Sequence, residues 1–413
     1  MPAHLDRARA ERLMQAAGID ALILLSPEAF RHATGAPPGV ATMWRQAGAV
    51  AVLVPADAGD GETAVASDLF APVFRSASHI ADLRISAIWV EAGAAPDFDR
   101  EADDPVVQMS ALWQSEGRGP DFRRPATFDA WTTWQHLRDA LAERGLPGGR
   151  IGVEMAAISA RDWPAIQVAL APAELVDATC IARDLRAIKS PAEIARLRQA
   201  VGLAERGIAA VRAAIVPGVS RSDLAAVWNA AIAQHAGDLP LTGSWEYISV
   251  GPDPWGADAR ARPGDVIKVD VGCLIDGYTS DTGRTFVLGP PPRAVREIHG
   301  ALMAGFEAGL ARLTPGTPLA EVHRATTEAI RAYGFAGYAR GHFGHGLGTG
   351  PGSEEWPFIA ADSDIPVTPG MVLAFECPWY LTGLGGFIIE DQIEITKHGP
   401  EPMNQLPRDL TEI

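Results

Sequence analysis

The sequence predicts an α+β protein: a C-terminal half of helices and antiparallel strands, preceded by a smaller α/β domain. Three observations carry the prediction. Apolar strand-like runs alternate with helical periodicity in the first part, a strong helix-start signal stands near residue 190, and two hairpin-like segments lie in the second part. At 413 residues the chain exceeds the size at which one hydrophobic core usually stops growing, so two domains are expected, 1–178 and 179–413.

Taken in order, RARAERLMQAAG reads as an amphipathic helix ended by Gly18, and DALILLS as a short buried strand. AGAVAVLVPA and RIGVEMA are further strands, so this part reads as an α/β layer domain. The polar, Pro/Gly-rich stretch 93–124 reads as a surface excursion. In RDLRAIKSPAEIARLRQA, Ser190, Pro191 and Glu193 supply the cap, first-turn proline and capping-box glutamate of a new helix. Helical stretches follow at about 196–214 and 221–235. PRAVREIHGALMAGFEAGLARL and LAEVHRATTEAIRAYG form two more amphipathic helices, and strands end the C-terminal half.

Bulk properties narrow the function. With 51 Asp+Glu against 35 Lys+Arg the net charge is −16, which argues against nucleic-acid or anionic-membrane partners. The charged N-terminus has no apolar core of signal-peptide type, and no apolar run reaches the length of a membrane span. Cys180, Cys273 and Cys377 are too scattered for a disulfide framework and suit a reducing compartment. A soluble, cytoplasmic protein is expected.

The chemistry concentrates in two hairpins. In DVIKVDVGCLIDGYTSDTGRTFVLG, a turn centred on Ile275-Asp276 sets Asp270 opposite Asp281, and one centred on Asp276-Gly277 makes the pair diagonal. In GMVLAFECPWYLTGLGGFIIEDQIEIT, folding about Gly383 sets Glu376 opposite Glu390. Facing carboxylates within apolar strands are destabilising unless a cation lies between them. One imidazole from the glycine-flanked HFGHGLG segment would complete a cluster suited to two hard or borderline divalent cations.

The set KVDVG, GYTSDTGRTF, GHFGHGLG, MVLAFECPWY and GGFIIEDQIEIT resembles the pita-bread metallohydrolase family, which includes methionine aminopeptidase, aminopeptidase P, prolidase and creatinase. RLMQAAGIDALILLS and LRAIKSPAEIARLRQA resemble the creatinase/prolidase/aminopeptidase P branch, which adds an N-terminal domain. The resemblance implies a C-terminal pita-bread domain after a creatinase-like α/β domain. Asp270, Asp281, His345, Glu376 and Glu390 would ligate two divalent ions, Mn²⁺ foremost, with Co²⁺, Fe²⁺ or Zn²⁺ as alternatives. Asp281 and Glu390 would bridge them, and Glu376 would also handle the proton of an activated water attacking an amide carbonyl.

Peptidases of the family carry a second histidine seven residues after the ligand; here that position is Gly352. Allowing for two inserted residues, Glu354 and Glu355 stand where His-Glu would. His342 lies three before the ligand rather than four, Gly283 replaces the Thr or Ser before Arg284, and no histidine occurs between His235 and His299. His342, Glu354 and Glu355 thus join Glu376 as catalytic candidates. Trp255, Trp356 and Trp379 are candidate walls of a pocket for a small apolar or cationic group. The resemblance further implies a homodimer in which Trp44 and Arg45 reach the neighbour's site. The leading expectation is an Xaa-Pro dipeptidase or aminopeptidase P-like hydrolase acting on short peptides. The alternative is a non-peptidase relative acting on a small metabolite, by C–N hydrolysis as in creatinase or as a lyase like those for dimethylsulfoniopropionate. A catalytically silent binding protein is a third reading, disfavoured by five retained ligands.

Overall fold

A computed structural model describes residues 4–93, 98–101, 103–256, 259–350 and 354–413. The chain divides into two compact units, Met1–Leu185 and Arg186–Ile413.

The first unit is built on a six-stranded sheet: β1 (Ala21–Leu24), β2 (Ala51–Pro55), β3 (Thr63–Ser67), β4 (Asp82–Ser86), β5 (Arg150–Val153) and β6 (Glu174–Asp177), in the order β4-β3-β2-β1-β5-β6. Alternate residues of β1 enter two separate apolar clusters, Leu22 and Leu24 in one, Ala21 and Ile23 in the other. Helices therefore cover both faces, as the uninterrupted apolar strands require. The first helix, Arg7–Ala17, starts where Asp6 accepts from the Arg9 amide and stops at left-handed Gly18. The stretch 93–124 departs from the expected irregular excursion. It holds the helix Pro105–Ser115, started by Asp104 bonding two free amides ahead of a first-turn proline. None of its residues is buried, so capping rather than an apolar stripe sets it. Residues 94–97 and 102 lie outside the described residues.

The second unit opens with one continuous helix, Pro191–Ala214, where the sequence suggested an initiation followed by a separate stretch. Ser190 and Glu193 form the full capping box, a feature that typically contributes about 1 kcal/mol. This helix and Arg221–His235 pack through Leu203, Ile208, Leu224 and Trp228 on a long strand, Val266–Ile275. Two further helices, Arg293–Leu310 and Leu319–Ala332, cover a second strand group through Leu302, Phe306, Val322 and Ile330. The unit is thus two similar halves, each a helix pair on a hairpin, joined in one curled sheet: the pita-bread arrangement.

Its strands are β7 (Leu241–Glu246), β8 (Ser249–Val250), β9 (Val266–Ile275), β10 (Tyr278–Thr279), β11 (Thr282–Val287), β12 (His342–Gly346), β13 (Glu355–Ala360), β14 (Val372–Glu376), β15 (Trp379–Leu381), β16 (Gly385–Phe387) and β17 (Glu390–Thr396). The sheet runs β10-β9-β11-β17-β14-β12-β13, with β7 and β8 also on β9, and β15 and β16 pair separately. Every residue of β11 and β14 is buried. Polar side chains in these strands are consequently desolvated from the outset.

Gly283 in β11 leaves no room for a side chain, because the space beside it is taken. A Cβ there would lie 2.7 Å from the Ile388 side chain. Overpacking of this kind costs about 1–3 kcal/mol. Gly283→Thr is therefore expected to lower the unfolding midpoint in chelator, and Ile388→Ala in the same chain to restore part of the loss. Strictly additive losses in a denaturant double-mutant cycle would refute the compensation.

Candidate metal centre

The sheet assembles the carboxylates in a row. Asp270 of β9 pairs with Gly283 of β11, Gly283 with Glu390 of β17, and Glu390 with Glu376 of β14. Residues paired across strands project to one face, so Asp270, Glu390 and Glu376 point together. Asp276 and Gly277 have φ of 50° and 77°, and Ile275 pairs with Tyr278, the geometry of a type I′ turn. This turn selects the second of the two registers open in the sequence: Asp281 is diagonal to Asp270 rather than opposite it. Glu376 and Glu390 face each other directly. His345 pairs with Ala374, one two-residue step along β14 from Glu376, and so presents its ring to the same face.

Asp281, His345 and Glu390 form the tightest group, with ligand atoms all within 4.8 Å of one another and all three residues buried. The Gly346 carbonyl can only accept, so His345 Nδ1 donates to it at 3.0 Å. The Nε2 lone pair is thereby left facing Asp281 Oδ2 at 3.5 Å. Burial, followed by the charges of Asp270 and Glu376, holds the Asp281 carboxyl well above its usual range. Burial and Asp281 do the same to Glu390. Glu390 Oε2 is buried without a hydrogen-bond partner among the described residues. Raised carboxyls, an orphaned oxygen and an oriented imidazole are a donor set that fits divalent cations.

Two basic side chains that sequence reading passed over border this group. Lys268 Nζ lies 2.8 Å from Asp270 Oδ2 and 3.3 Å from the Tyr380 hydroxyl. Arg340 Nη2 donates to Glu376 Oε1 at 2.7 Å, and its own carbonyl accepts from His323 Nε2 at 2.9 Å. Lys268 stands two residues before Asp270 on β9, which sets the two side chains on one face, whereas Arg340 lies just ahead of β12, where no strand period applies.

Of the catalytic candidates, His342 Nδ1 is 3.8 Å from the same Glu376 oxygen, and burial pushes its imidazole below the ordinary range against the pull of Glu376. Glu354 is exposed, yet close enough that its charge raises the carboxyl of Asp281 and the imidazole of His342. Glu355 is differently engaged: Arg186 and Lys189 both pair with its carboxylate. Gly352 lies outside the described residues.

A cavity of about 620 Å³ is lined by residues from Gly334 to Arg340 and by Pro378, Trp379 and Tyr380. It shares Arg340 and Tyr380 with the carboxylate row. Trp379 packs edge-on to Phe335 and Tyr338, and exposed Trp255 lies over Tyr380 with ring centres 4.8 Å apart. Trp356 packs instead against the apolar cluster under β14. In the first unit, Trp44 is 55% exposed beside Trp89, and Arg45 pairs with Glu28 through both guanidinium nitrogens at 2.7 and 2.9 Å.

Comparison with known proteins agrees with this construction. Residues 195–397 match metallopeptidase family M24. The chain is 30% identical over 235 residues to an Xaa-Pro dipeptidase of Pyrococcus horikoshii, covering 56% of this chain and 66% of that protein. It is 31% identical over 242 residues to a probable dipeptidase PepE of Mycobacterium bovis, covering 56% and 62%. These matches span slightly less than two-thirds of the relatives' length. An Xaa-Pro dipeptidase from Bacillus anthracis has the same fold, with a TM-score of 0.75 and 21% identity over 98% of this chain and 99% of that one. The chain belongs to metallopeptidase family M24, the pita-bread metallopeptidases. No helix among the described residues is long and apolar enough to cross a membrane.

The raised carboxyls make a signed prediction. Asp281 and Glu390 keep protons in the folded chain that the unfolded chain releases, so their contribution weakens as pH rises from the ordinary carboxylate range toward the raised folded values. In chelator, Asp281→Asn should unfold at a higher temperature than the native sequence, by about 2–4 °C for each kcal/mol of repulsion relieved. The difference should widen from pH 5 to pH 8, and the variant should lose stabilisation by Mn²⁺. A difference that is absent or independent of pH would refute the electrostatic account.

Proposed function

We propose that this protein is a divalent-metal-dependent hydrolase of the Xaa-Pro dipeptidase/aminopeptidase P type, acting on the amide bond of short peptides. The observation that carries the reading is the buried Asp281–His345–Glu390 group with Asp270 and Glu376 in the same row. Those five residues would hold the ions. When bound, the ions supply Lewis acidity that polarises an amide carbonyl and acidifies a water, and Mn²⁺ is the first ion to test.

The chain's own residues do the rest. Glu376 takes and returns the proton, oriented by Arg340 on its Oε1. His342, at 3.8 Å from the same oxygen, is a second proton-handling group. Glu354 is the better placed of the adjacent pair to act near the reacting atoms, since Glu355 is held by Arg186 and Lys189. The cavity beside Trp379 and Tyr380 has a volume suited to a dipeptide. The same reading includes a cytoplasmic homodimer, with exposed Trp44 as the residue offered to a neighbour.

A carboxylate at 354 where peptidases have imidazole also favours a second reading, C–N hydrolysis or a lyase reaction on a small metabolite. Proline release from Xaa-Pro dipeptides and Xaa-Pro-Xaa tripeptides, with metal content measured on the same sample, separates the two. Cleavage that falls at least about 100-fold in Glu376→Gln, with an unchanged unfolding midpoint, is expected. No proline release from metal-loaded protein would transfer the assignment to guanidino, lactam or onium substrates, and full activity of Glu376→Gln would remove that residue from the mechanism.

A further inference from the structure

A second cavity lies on the other side of the sheet from the carboxylate row. Side chains alternate along β11, so Arg284 and Phe286 face away from Gly283 and its partners Asp270 and Glu390. Phe286 packs instead in the cluster formed by the helix Pro191–Ala214. Between that helix and the segment 406–413 a cavity of about 420 Å³ opens. This is within the range of small-molecule sites.

Its walls are fixed in place. Glu205, on the helix, accepts from the Gln405 and Leu406 amides at 2.7 and 2.8 Å, which joins the two sides. The short strand Thr411–Glu412 pairs with β11 at Phe286 and Val287. The floor is apolar: Ile208 and Phe286 are buried, and Leu406 packs against the same cluster.

The polar groups of the cavity are of two kinds. Arg284 lines it, but every N–H of its guanidinium is engaged, by the carbonyls of Gly283, Glu390, Leu406 and Pro407 and by Asp391. Arg212 and Glu412 line the same cavity at exposed positions, and neither side chain has a hydrogen bond or ion pair among the described residues. A cation and an anion thus stand apart at the edge of an apolar cavity. A ligand carrying only negative charge would meet Glu412 as a like charge, and one carrying only positive charge would meet Arg212. A ligand that carries both signs satisfies both.

We propose that this cavity binds a zwitterion with an apolar side chain, an amino acid or a short peptide. Its carboxylate lies on Arg212, its ammonium on Glu412 and its side chain over Ile208 and Phe286. The site does not depend on the metal-dependent reading above, since it uses the opposite face of the sheet and none of the five candidate ligands.

The test is calorimetric titration of the full chain, in chelator, with L-phenylalanine and with the dipeptide phenylalanyl-leucine. Saturable binding with a dissociation constant below about 5 mM is expected for at least one of them, well within the reach of a ligand of about a dozen non-hydrogen atoms. The tighter probe identifies amino acid or peptide as the occupant, and either result supports the site. N-acetyl-L-phenylalanine and L-phenylalaninamide, each lacking one charge, should bind at least about fivefold more weakly than L-phenylalanine. Arg212→Gln and Glu412→Gln should each weaken the tighter probe at least about fivefold with an unchanged unfolding midpoint, since both positions are exposed and unpaired. Ala209→Trp, at an exposed position in the wall, should abolish binding by filling the cavity. No saturable binding of either probe below about 5 mM, equal binding of the singly charged analogues, or binding unchanged in Arg212→Gln and Ala209→Trp would overturn the inference.

Discussion

Mutual repulsion among four carboxylates on one buried sheet face is the constraint to which the second unit answers. Like charges at neighbouring strand positions destabilise a sheet, and desolvation compounds the effect by favouring protonation. The protein holds them there by making the surrounding strands apolar and covering each hairpin with its own helix pair. Stability drawn from those interfaces tolerates a locally unfavourable centre, a usual relation between a scaffold and its functional site.

Partial neutralisation follows a consistent plan. Each half of the unit contributes one carboxylate hairpin, and each half brings one basic residue to the outer member of its pair, Lys268 to Asp270 and Arg340 to Glu376. The inner pair, Asp281 and Glu390, is left to the imidazole. A second, separate use of charge lies at Glu355, where Arg186 and Lys189 tie the beginning of β13 to the segment just ahead of the long helix. Those ion pairs anchor the start of β13, where Glu355 pairs with Gly346 and Phe358 with His345 of β12.

Much of this was legible in the sequence because it depends on period and symmetry. Glu376 and Glu390 could be paired by folding about Gly383, and the Ser190 capping box by its four-residue pattern. The first hairpin was legible only to within a register, since the choice rests on positive φ at Asp276, which an aspartate adopts less readily than a glycine. The helix Pro105–Ser115 left no periodic trace because it buries nothing. Lys268 was hidden by its context: a lysine in an apolar strand reads as an edge or a solvent-facing residue until both faces of β9 are known to be covered. Glu354 and Glu355 were indistinguishable as neighbours in sequence, and three-dimensional pairing with Arg186 and Lys189 separates them.

The row Asp270–Gly283–Glu390–Glu376 makes the sheet a ruler. Cα positions along it are spaced by the hydrogen-bonding pitch, about 4.8 Å per strand, so Asp270 and Glu390 stand two graduations apart across Gly283. With the anchors immovable, the length of each acidic side chain is the remaining adjustment, and aspartate or glutamate at each mark sets where an oxygen ends. Exchanging one acid for the other here would preserve charge entirely yet shift a ligand oxygen by a methylene, a change of calibre rather than of chemistry. In the metal-dependent reading, the choice of a short acid at Asp270 and long acids at Glu390 and Glu376 would tune the radius of cation the row accepts.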